Sequence, residues 1–223
     1  MEILHAGSRS ISVKLLQRLL NKKGANPRLK EDGIFGPKTR EMVIAFQARQ
    51  RIHQDGVVGH TTWSRLGIMI DVTHPVQLFP QPTNMTCWTA AASMIIGNMC
   101  VGPGTATLAP SGGMNPDPQN IRRFGEGLGW KMHYPQTWTV NGLASLLRRK
   151  PVWAVGGGAS PGGGWLHAIV LSALWSDGAE DGSGTVLRIH DPWPPHVGSV
   201  YGRFYKGTVD GFDFISMYIL QPS

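Results

Sequence analysis

The stretch LFPQPTNMTCWTAAASMII, residues 78–96, joins a turn-rich segment to a helix that starts at a cysteine. Thr86 is a suitable cap for this helix, which is predicted to end at Gly97. Cys87 would then lie at a helix N-terminus, where unpaired N–H groups and the positive end of the helix dipole favour a thiolate. The pattern favours a nucleophile over the two alternatives, a core cysteine and a metal ligand.

A nucleophilic thiol needs a base from another element of the chain. His167 is the first candidate among eight histidines, because it lies near the start of an apolar strand that follows a glycine-rich loop. His190 is the second candidate. Asp191, at the end of a strand, is the candidate to orient the histidine, with Asp177 and Asn98 as weaker alternatives.

Further residues of a candidate active site lie close to these three in the sequence. Gln81 precedes Cys87 by six positions, and its amide is predicted to share the oxygen of a tetrahedral intermediate with the Cys87 N–H group. Loss of one such donor typically raises the barrier by about 3 kcal/mol. Three tryptophans are candidates for the substrate groove, with core positions as the alternative: Trp88, Trp165 and Trp193.

The first 68 residues are predicted to form three short helices, in SISVKLLQRLLNKKG, GPKTREMVIAFQARQ and TTWSRL. Two similar loops separate them. DGIFGPKT (32–39) and DGVVGHTT (55–62) share the form Asp-Gly-apolar-apolar-Gly-x-x-Thr. Each Asp-Gly favours a tight turn, so two similar loops should lie side by side on a small helical domain.

The remaining chain has a mixed pattern. Helices are predicted in CWTAAASMIIGN, DPQNIRRFGEGLG and TVNGLASLLRRK, the last with Thr139 as its cap. Apolar strands are predicted in PVWAVGG, WLHAIVLSAL, GTVLRIHDP and FISMYIL. Alternation along the second strand places four residues on one face: His167, Ile169, Leu171 and Ala173. The fold class is therefore α+β, with a helical domain at 1–68, a linker at 69–80 and a second domain at 81–223.

Composition restricts the partners of the chain. The 223 residues carry a net charge of +7, which favours contact with anionic surfaces, but the positive residues are dispersed. Nucleic-acid binding is therefore not expected. Two cysteines, Cys87 and Cys100, exclude a disulfide scaffold, and no CxxC zinc pattern exists, so neither a metal nor a cofactor is expected. The sequence shows no apolar run long enough for a membrane span and no signal-peptide pattern.

The first third of the chain closely resembles the three-helix type of bacterial peptidoglycan-binding domain. The paired Asp-Gly loops, Phe46-Gln47 and Trp63 carry the likeness. The resemblance implies a non-catalytic module that binds the cell wall, with a helical docking unit as the alternative.

Residues 74–223 resemble the papain-like cysteine peptidases, especially compact proteases that bacteria deliver as effectors. The order Gln-x5-Cys-Trp, then His, then Asp carries this likeness. It implies Cys87 as nucleophile, His167 as base and acid, Asp191 as orienter and Gln81 in the oxyanion hole. Asp stands where plant papain has Asn, and the additional cysteine of the papain motif is missing.

Together the two resemblances predict a cysteine peptidase or amidase that cuts peptidoglycan stem peptides as an antibacterial, type VI-like effector. A protease that cleaves a target-cell protein and a phage-type endolysin are the alternatives, and a non-enzymatic adaptor is a third. The expected partners are peptidoglycan, a peptide or protein substrate, a cognate immunity protein and a secretion-apparatus component. The chain would be made in the bacterial cytoplasm, exported without a classical signal peptide, and would act in the periplasm or interior of the target cell.

Overall fold

The computed structural model describes residues 1–99, 101–102, 106–157, 166–205, 208–209, 212–213 and 217–223. Its N-terminal part, here called the helical unit (residues 1–68), contains α1 (Ile11–Lys22), α2 (Pro37–Arg49) and α3 (His60–Leu66). Ser10 caps α1 by accepting a hydrogen bond from the Val13 N–H group. Pro37 begins α2, a position that its fixed φ suits. The three helices predicted for this region are confirmed.

The first Asp-Gly loop is held by Gln17, a buried residue of α1. Its amide nitrogen lies 2.9 Å from Asp32 Oδ1, 3.1 Å from the Ile34 carbonyl oxygen and 3.3 Å from Thr39 Oγ1. Its amide oxygen accepts from the Gly33 N–H group at 2.9 Å. Gly33 has φ +76°, a left-handed conformation that glycine adopts without strain. One buried side chain therefore fixes the whole loop.

The second loop repeats this network with Gln47 of α2. The Gln47 amide nitrogen lies 2.9 Å from Asp55 Oδ1, 2.9 Å from the Val57 carbonyl oxygen and 3.3 Å from Thr62 Oγ1. Its oxygen accepts from the Gly56 N–H group at 3.0 Å. The sequence repeat is thus a repeat of structure, in which a glutamine from the preceding helix bonds to the Asp, the Gly and the Thr of each loop.

The rest of the chain forms a seven-stranded antiparallel sheet with three further helices, which confirms the α+β class. The strand order is β2-β9-β3-β4-β5-β6, and β1 pairs with the second half of β4. The strands of this sheet are β1 (Ile70–Thr73), β2 (Lys131–His133), β3 (Val152–Gly157), β4 (Leu166–Ser176), β5 (Thr185–Asp191), β6 (Ser199–Phe204) and β9 (Tyr218–Gln221). A separate pair is formed by β7 (Thr208–Val209) and β8 (Phe212–Asp213), and the helices are α4 (Cys87–Ile96), α5 (Pro118–Gly127) and α6 (Val140–Leu147).

Four strands of the sheet, β3, β4, β5 and β9, coincide with the predicted ones. The strands β1, β2 and β6 were not predicted, because they are short or lack an apolar alternation. Residues 70–73 of the expected linker form β1, so this segment is part of the sheet. No helix in the described part of the chain is long and apolar enough to cross a membrane.

A β-bulge in β4 decides which helices cover each part of the sheet. The pairing with β5 shifts between Leu171 and Ala173, which leaves Ser172 as an extra residue. Ile169 and Leu171 pack in one core with α6, whereas Ala173 packs in another core with the helical unit. The predicted placement of Ala173 on the face of Leu171 is therefore wrong, because the bulge reverses the alternation.

The helical unit packs directly on the sheet. Trp175 of β4 shares a core with the leucines of α1, and the Arg18 guanidinium lies 4.0 Å from the centre of the Phe204 ring. Gly202 of β6 lies against α1, where an added Cβ would be 2.0 Å from Ile11 Cγ2. The two parts of the chain therefore meet in an interface that has no room for a side chain at this point.

Candidate active site

Cys87 is the first residue of α4 and is 8% exposed. The first N–H groups of a helix have no partner within the helix, so the thiol lies where such donors concentrate. Thr86 occupies the N-cap position, but the expected side-chain cap is absent, because the Thr86 hydroxyl oxygen accepts from the Thr83 N–H group at 3.1 Å instead. The helix ends at Gly97 with φ +90°, as predicted.

His167 lies near the start of β4 and connects the thiol to a carboxylate. Its Nε2 atom is 2.6 Å from Asp191 Oδ1, and its ring also interacts with the Cys87 thiol. Burial lowers the pKa of His167, but the hydrogen bonds with Asp191 and Cys87 outweigh it and raise that pKa from 6.5 to about 9. His167 is therefore protonated at neutral pH, with its positive charge beside Cys87 and Asp191.

Asp191 ends β5 and is held by several donors at once. Besides the His167 contact, Oδ1 accepts from the Trp193 backbone N–H group at 2.9 Å, and Oδ2 accepts from the Tyr201 hydroxyl at 3.2 Å. Burial and the neighbouring Asp191 carboxylate raise the pKa of Tyr201, so its hydroxyl remains a donor. The sequence did not indicate Tyr201. Only a strand prediction at 199–204, which pairs Tyr201 with Ile189, would have placed it.

Gln81, the predicted oxyanion donor, lies in the segment that precedes α4. Gln81 is fully buried, its amide nitrogen donates to the Thr83 carbonyl oxygen at 2.6 Å, and its Oε1 atom has no hydrogen-bond partner among the described residues. Its backbone pairs with Pro192 and His196, in the loop that follows β5. The amide nitrogen has a second N–H group besides the one that bonds to Thr83, so its role as an oxyanion donor stays a prediction.

A cavity of about 710 Å³ lies beside Cys87 and His167. Two of the three predicted groove tryptophans line it, Trp88 as a buried wall and Trp193 as a 45% exposed rim residue. Trp165 lies outside the described residues. Cys87 and His167 are the cavity's titratable side chains among the residues described. The remaining lining is mainly apolar and includes Met85, Ala109, Met114, Pro116, Val155 and Leu166, with Asn84 and Ser111 as polar members.

His190, the second candidate for the base, lies in a different environment. Burial, with a smaller contribution from Arg188, lowers the pKa of His190 to about 4. Neither ring nitrogen has a hydrogen-bond partner in the described part of the chain, and His190 does not line the cavity. Adjacent strand residues point to opposite faces, so the side chain of His190 lies across the sheet from that of Asp191. The geometry favours His167.

A metal centre was the weaker alternative for these residues. Within the described ranges, no group of three or more His, Cys, Asp or Glu side chains is arranged to hold an ion. His167 uses Nε2 for the Asp191 carboxylate, at 2.6 Å from Oδ1. The arrangement instead suits nucleophilic catalysis, which needs a thiol, an adjacent base and a residue that orients the base.

Two family models match adjacent parts of the chain. The model described as putative peptidoglycan binding domain matches residues 9–66. The model described as papain-like cysteine protease AvrRpt2 matches residues 67–200, which is more than half of the chain. A peptidoglycan-binding domain followed by a papain-like cysteine protease domain was predicted, and both are confirmed.

Two solved structures are also similar. The crystal structure of a Burkholderia AP3 phage endolysin is 44% identical over 30% of this chain and 25% of that chain, with a TM-score of 0.28. A fused Zn-dependent amidase/peptidase/peptidoglycan-binding domain-containing protein from Clostridium acetobutylicum ATCC 824 is 19% identical over 89% of this chain and 59% of that chain, with a TM-score of 0.28. The chain thus spans a quarter and about three-fifths of their lengths. At these TM-scores, neither structure establishes the fold or activity of this chain.

Proposed function

Because the chain belongs to the papain-like cysteine protease AvrRpt2 family, we propose that Cys87, His167 and Asp191 are its catalytic residues and that it hydrolyses amide bonds in peptidoglycan stem peptides. The observation that carries the catalytic part is the chain of contacts from the thiol through the imidazole to the carboxylate, beside a cavity of substrate size. The wall-directed part is supported by the peptidoglycan-binding domain.

The proposed reaction needs only groups of this chain and water. The Cys87 thiolate attacks the amide carbonyl carbon, and protonated His167 transfers its proton to the leaving amine as the C–N bond breaks. Water then attacks the thioester, and neutral His167 accepts the proton of that water. The C–S bond breaks, and the carboxylic acid product leaves Cys87 as a thiolate again. Asp191 holds the imidazole orientation through both steps.

The oxyanion would be held by N–H groups at the start of α4, with Gln81 as the predicted second donor. The support for Gln81 is its position in the segment that precedes Cys87 and pairs with the loop after Asp191. Substitution of Gln81 by Ala should lower kcat about 10²-fold with little change in KM if the amide turns toward the substrate. An unchanged kcat would leave the N–H groups of α4 as the donors.

The helical unit supplies location in this proposal. Binding to the wall raises the local concentration of wall-linked amide bonds without any new contact at Cys87. Because the helical unit packs against the sheet through Arg18, Phe204 and Gly202, the cleft and the binding domain keep a constant separation. A fixed spacing favours bonds that lie at one distance from the anchoring point.

Purified sacculi provide the direct test. The wild-type chain and the Cys87→Ala variant are incubated with sacculi, and the released fragments are analysed by mass spectrometry. New amino and carboxyl termini within stem peptides are expected for the wild type and not for Cys87→Ala. No muropeptide change, together with cleavage of a protein substrate, would overturn the murein assignment but leave the catalytic residues in place.

One observation favours a second candidate function, the cleavage of a protein of the attacked cell. The cavity lining is mainly apolar, whereas stem peptides carry carboxylates, and an extended protein chain with apolar side chains suits such a groove better. Comparison of protein termini in extracts treated with the wild type or with Cys87→Ala would identify such cleavage.

We also propose that the chain acts as an antibacterial effector with an immunity partner. Its support is the resemblance of residues 78–96 to delivered proteases, together with the wall-binding domain. Expression directed to the periplasm of a test bacterium should be toxic only with Cys87 intact, and a neighbouring gene product should relieve it. Toxicity confined to cytoplasmic expression would favour the protein substrate. Lysis only on addition from outside the cell would favour the phage-type endolysin.

A further inference from the structure

A second cavity, of about 670 Å³, lies on the helical unit. It is here called the loop groove, and it shares no lining residue with the cavity at Cys87. Its apolar lining consists mainly of Ile34, Phe35, Pro37 and Ile44, and its charged residues are Arg9, Arg40 and Glu41. The groove is therefore an apolar surface bordered by charged side chains, which is the composition of a site for an amphipathic ligand.

A comparison of the two repeats distinguishes the residues that hold the loops from the residues that can contact a ligand. The Asp, the first Gly and the Thr of each loop form hydrogen bonds with Gln17 or Gln47. These residues therefore hold the loops in place. Several groove residues differ between the repeats. Arg40, Glu41 and Ile44 correspond to Trp63, Ser64 and Gly67. Only the first repeat therefore carries this set of side chains.

In the second repeat the side chain at the position of Arg40 is buried. Trp63, at the position of Arg40, is 2% exposed, and its Nε1–H group donates to the Glu2 carbonyl oxygen at 3.0 Å. Leu4 pairs with Val58 in the second loop, as Arg9 pairs with Ile34 in the first. Arg40, in contrast, is exposed on the open groove. The two repeats thus differ at this position, which holds an exposed arginine in the first repeat and a buried tryptophan in the second.

The charges at the loop groove define the chemistry of its ligand. Neither Arg9 nor Arg40 forms an ion pair within the described part of the chain, and the same is true of Glu41. Guanidinium groups bind carboxylates in a bidentate manner, and an apolar floor accepts methyl groups. Peptidoglycan offers both, as stem-peptide carboxylates and as N-acetyl groups.

We propose that the loop groove is the peptidoglycan-binding site of the chain, with a stem-peptide carboxylate paired to Arg40 and Arg9 and an N-acetyl group on the apolar floor. This inference rests on the proposed wall-directed function, because it names the ligand segment that the helical unit recognises. Glu41 would accept a hydrogen bond from an amine or hydroxyl group of the same segment.

A steric variant tests the site without a change of charge. Gly36 lines the groove with φ −88°, and a Cβ atom added there meets no atom within 4 Å, so Gly36→Leu fills the groove without a clash at Cβ. Gly59 is the matched control, because it caps α3 as Gly36 caps α2 and an added Cβ is equally free. In a full-length Cys87→Ala background, Gly36→Leu should weaken co-sedimentation with sacculi at least tenfold, and Gly59→Leu less than twofold.

A charge variant provides the second, independent test. Arg40→Gln should weaken binding about tenfold, whereas Arg49→Gln, at an exposed position of the same helix outside the groove, should change it less than twofold. Soluble muropeptides with free carboxylates should compete with sacculi, and amidated ones should compete at least tenfold less well. Amidated muropeptides that compete equally well would overturn the carboxylate pairing.

The possible failures are distinguishable. If the wild-type chain does not bind sacculi, the wall-directed function itself is wrong. If it binds and both Gly36→Leu and Arg40→Gln retain that affinity, the function stands and the loop groove is not the site. If Arg49→Gln weakens binding as much as Arg40→Gln, non-specific charge attraction explains the binding and the site is overturned. Thermal unfolding of each variant verifies that the helical unit remains folded.

Discussion

The helical unit and the cleft both contain buried polar clusters, but they are built in opposite ways. Gln17 and Gln47 each satisfy their amide groups with partners no more than 22 residues away, and the same network occurs twice. The cleft brings together Cys87, His167 and Asp191 from three elements, and it holds charged groups. The repeated cluster therefore stabilises a loop, whereas the single cluster holds a protonated His167 between Cys87 and Asp191.

The largest expected effect is that of Asp191→Ala. Removal of the carboxylate leaves His167 without its acceptor, so the imidazole loses both its orientation and the stabilisation of its charge. We expect kcat/KM to fall by roughly 10²-fold on a small peptide substrate, in the range of a lost acid–base function. Asp191→Asn is the matched control, because its amide oxygen can still accept, and it should lose less than tenfold. Equal losses in both variants would show that the charge, and not the acceptor, is essential.

The same pair of variants tests the pH dependence. The pKa of His167 is raised to about 9, so the protonated imidazole persists up to that pH and activity should decline above it. In Asp191→Asn the raising contribution of the carboxylate is lost while burial remains, so the alkaline limb of kcat/KM should move to lower pH. The folding contribution has the same sign. It is fully present below pH 6.5 and is lost as the pH rises through about 9. An alkaline limb that stays in place would contradict this coupling.

Substitution of the buried glutamines is expected to have the next largest effect, on stability alone. Gln17→Leu and Gln47→Leu should each lower the free energy of unfolding by roughly 2 kcal/mol, because the buried loop groups lose their partners. The two losses should be similar, since the networks are the same. Urea unfolding measures both, and activity on a small peptide should be unchanged where the chain is folded. A loss of kcat with intact folding would show that the glutamine clusters also affect the active site, contrary to this prediction.

The same contrast explains what the sequence could predict. The Asp-Gly loops, the helix start at Pro37, the helix cap at Thr139 and the helix that starts at Cys87 are local patterns, and each is found in the structure. The contact of Tyr201 with Asp191 depends on strand pairing between distant segments. The bulge at Ser172, which reverses the face of Ala173, leaves no local signal either. Non-local pairing is fixed only once the sheet has formed.

The side chain of Gln81 shows a second limit of prediction from sequence. A spacing of six residues from Cys87 is compatible with an oxyanion donor, but spacing does not determine the rotamer of a side chain. Thr83 offers a carbonyl oxygen two residues away, and the amide donates to it. The polar groups of the loop compete for the same donor, and sequence alone does not rank them.

The interface between the two regions gives a third, smaller effect. Gly202→Ala places a methyl group 2.0 Å from Ile11 Cγ2, so α1 must shift on the sheet. Overpacking of this kind typically costs about 1–3 kcal/mol. The double variant Ile11→Ala/Gly202→Ala should recover part of this loss, because the methyl group then has space. If the two substitutions are additive in urea unfolding, the helical unit is not seated on β6 in solution.

The smallest expected effect is that of Tyr201→Phe, which removes one donor from the Asp191 carboxylate. The hydrogen bond is 3.2 Å long and reaches Oδ2, whereas His167 and the Trp193 N–H group use Oδ1. The variant should therefore lose about 1 kcal/mol of stability or less and less than fivefold in kcat/KM. Its pH profile is the sharper measurement. A carboxylate with one donor fewer is a stronger acceptor, so the alkaline limb should move slightly above that of the wild type, opposite to the shift in Asp191→Asn. A shift to lower pH would show that Tyr201 orients the imidazole through Asp191, which would extend the non-local cluster from three residues to four.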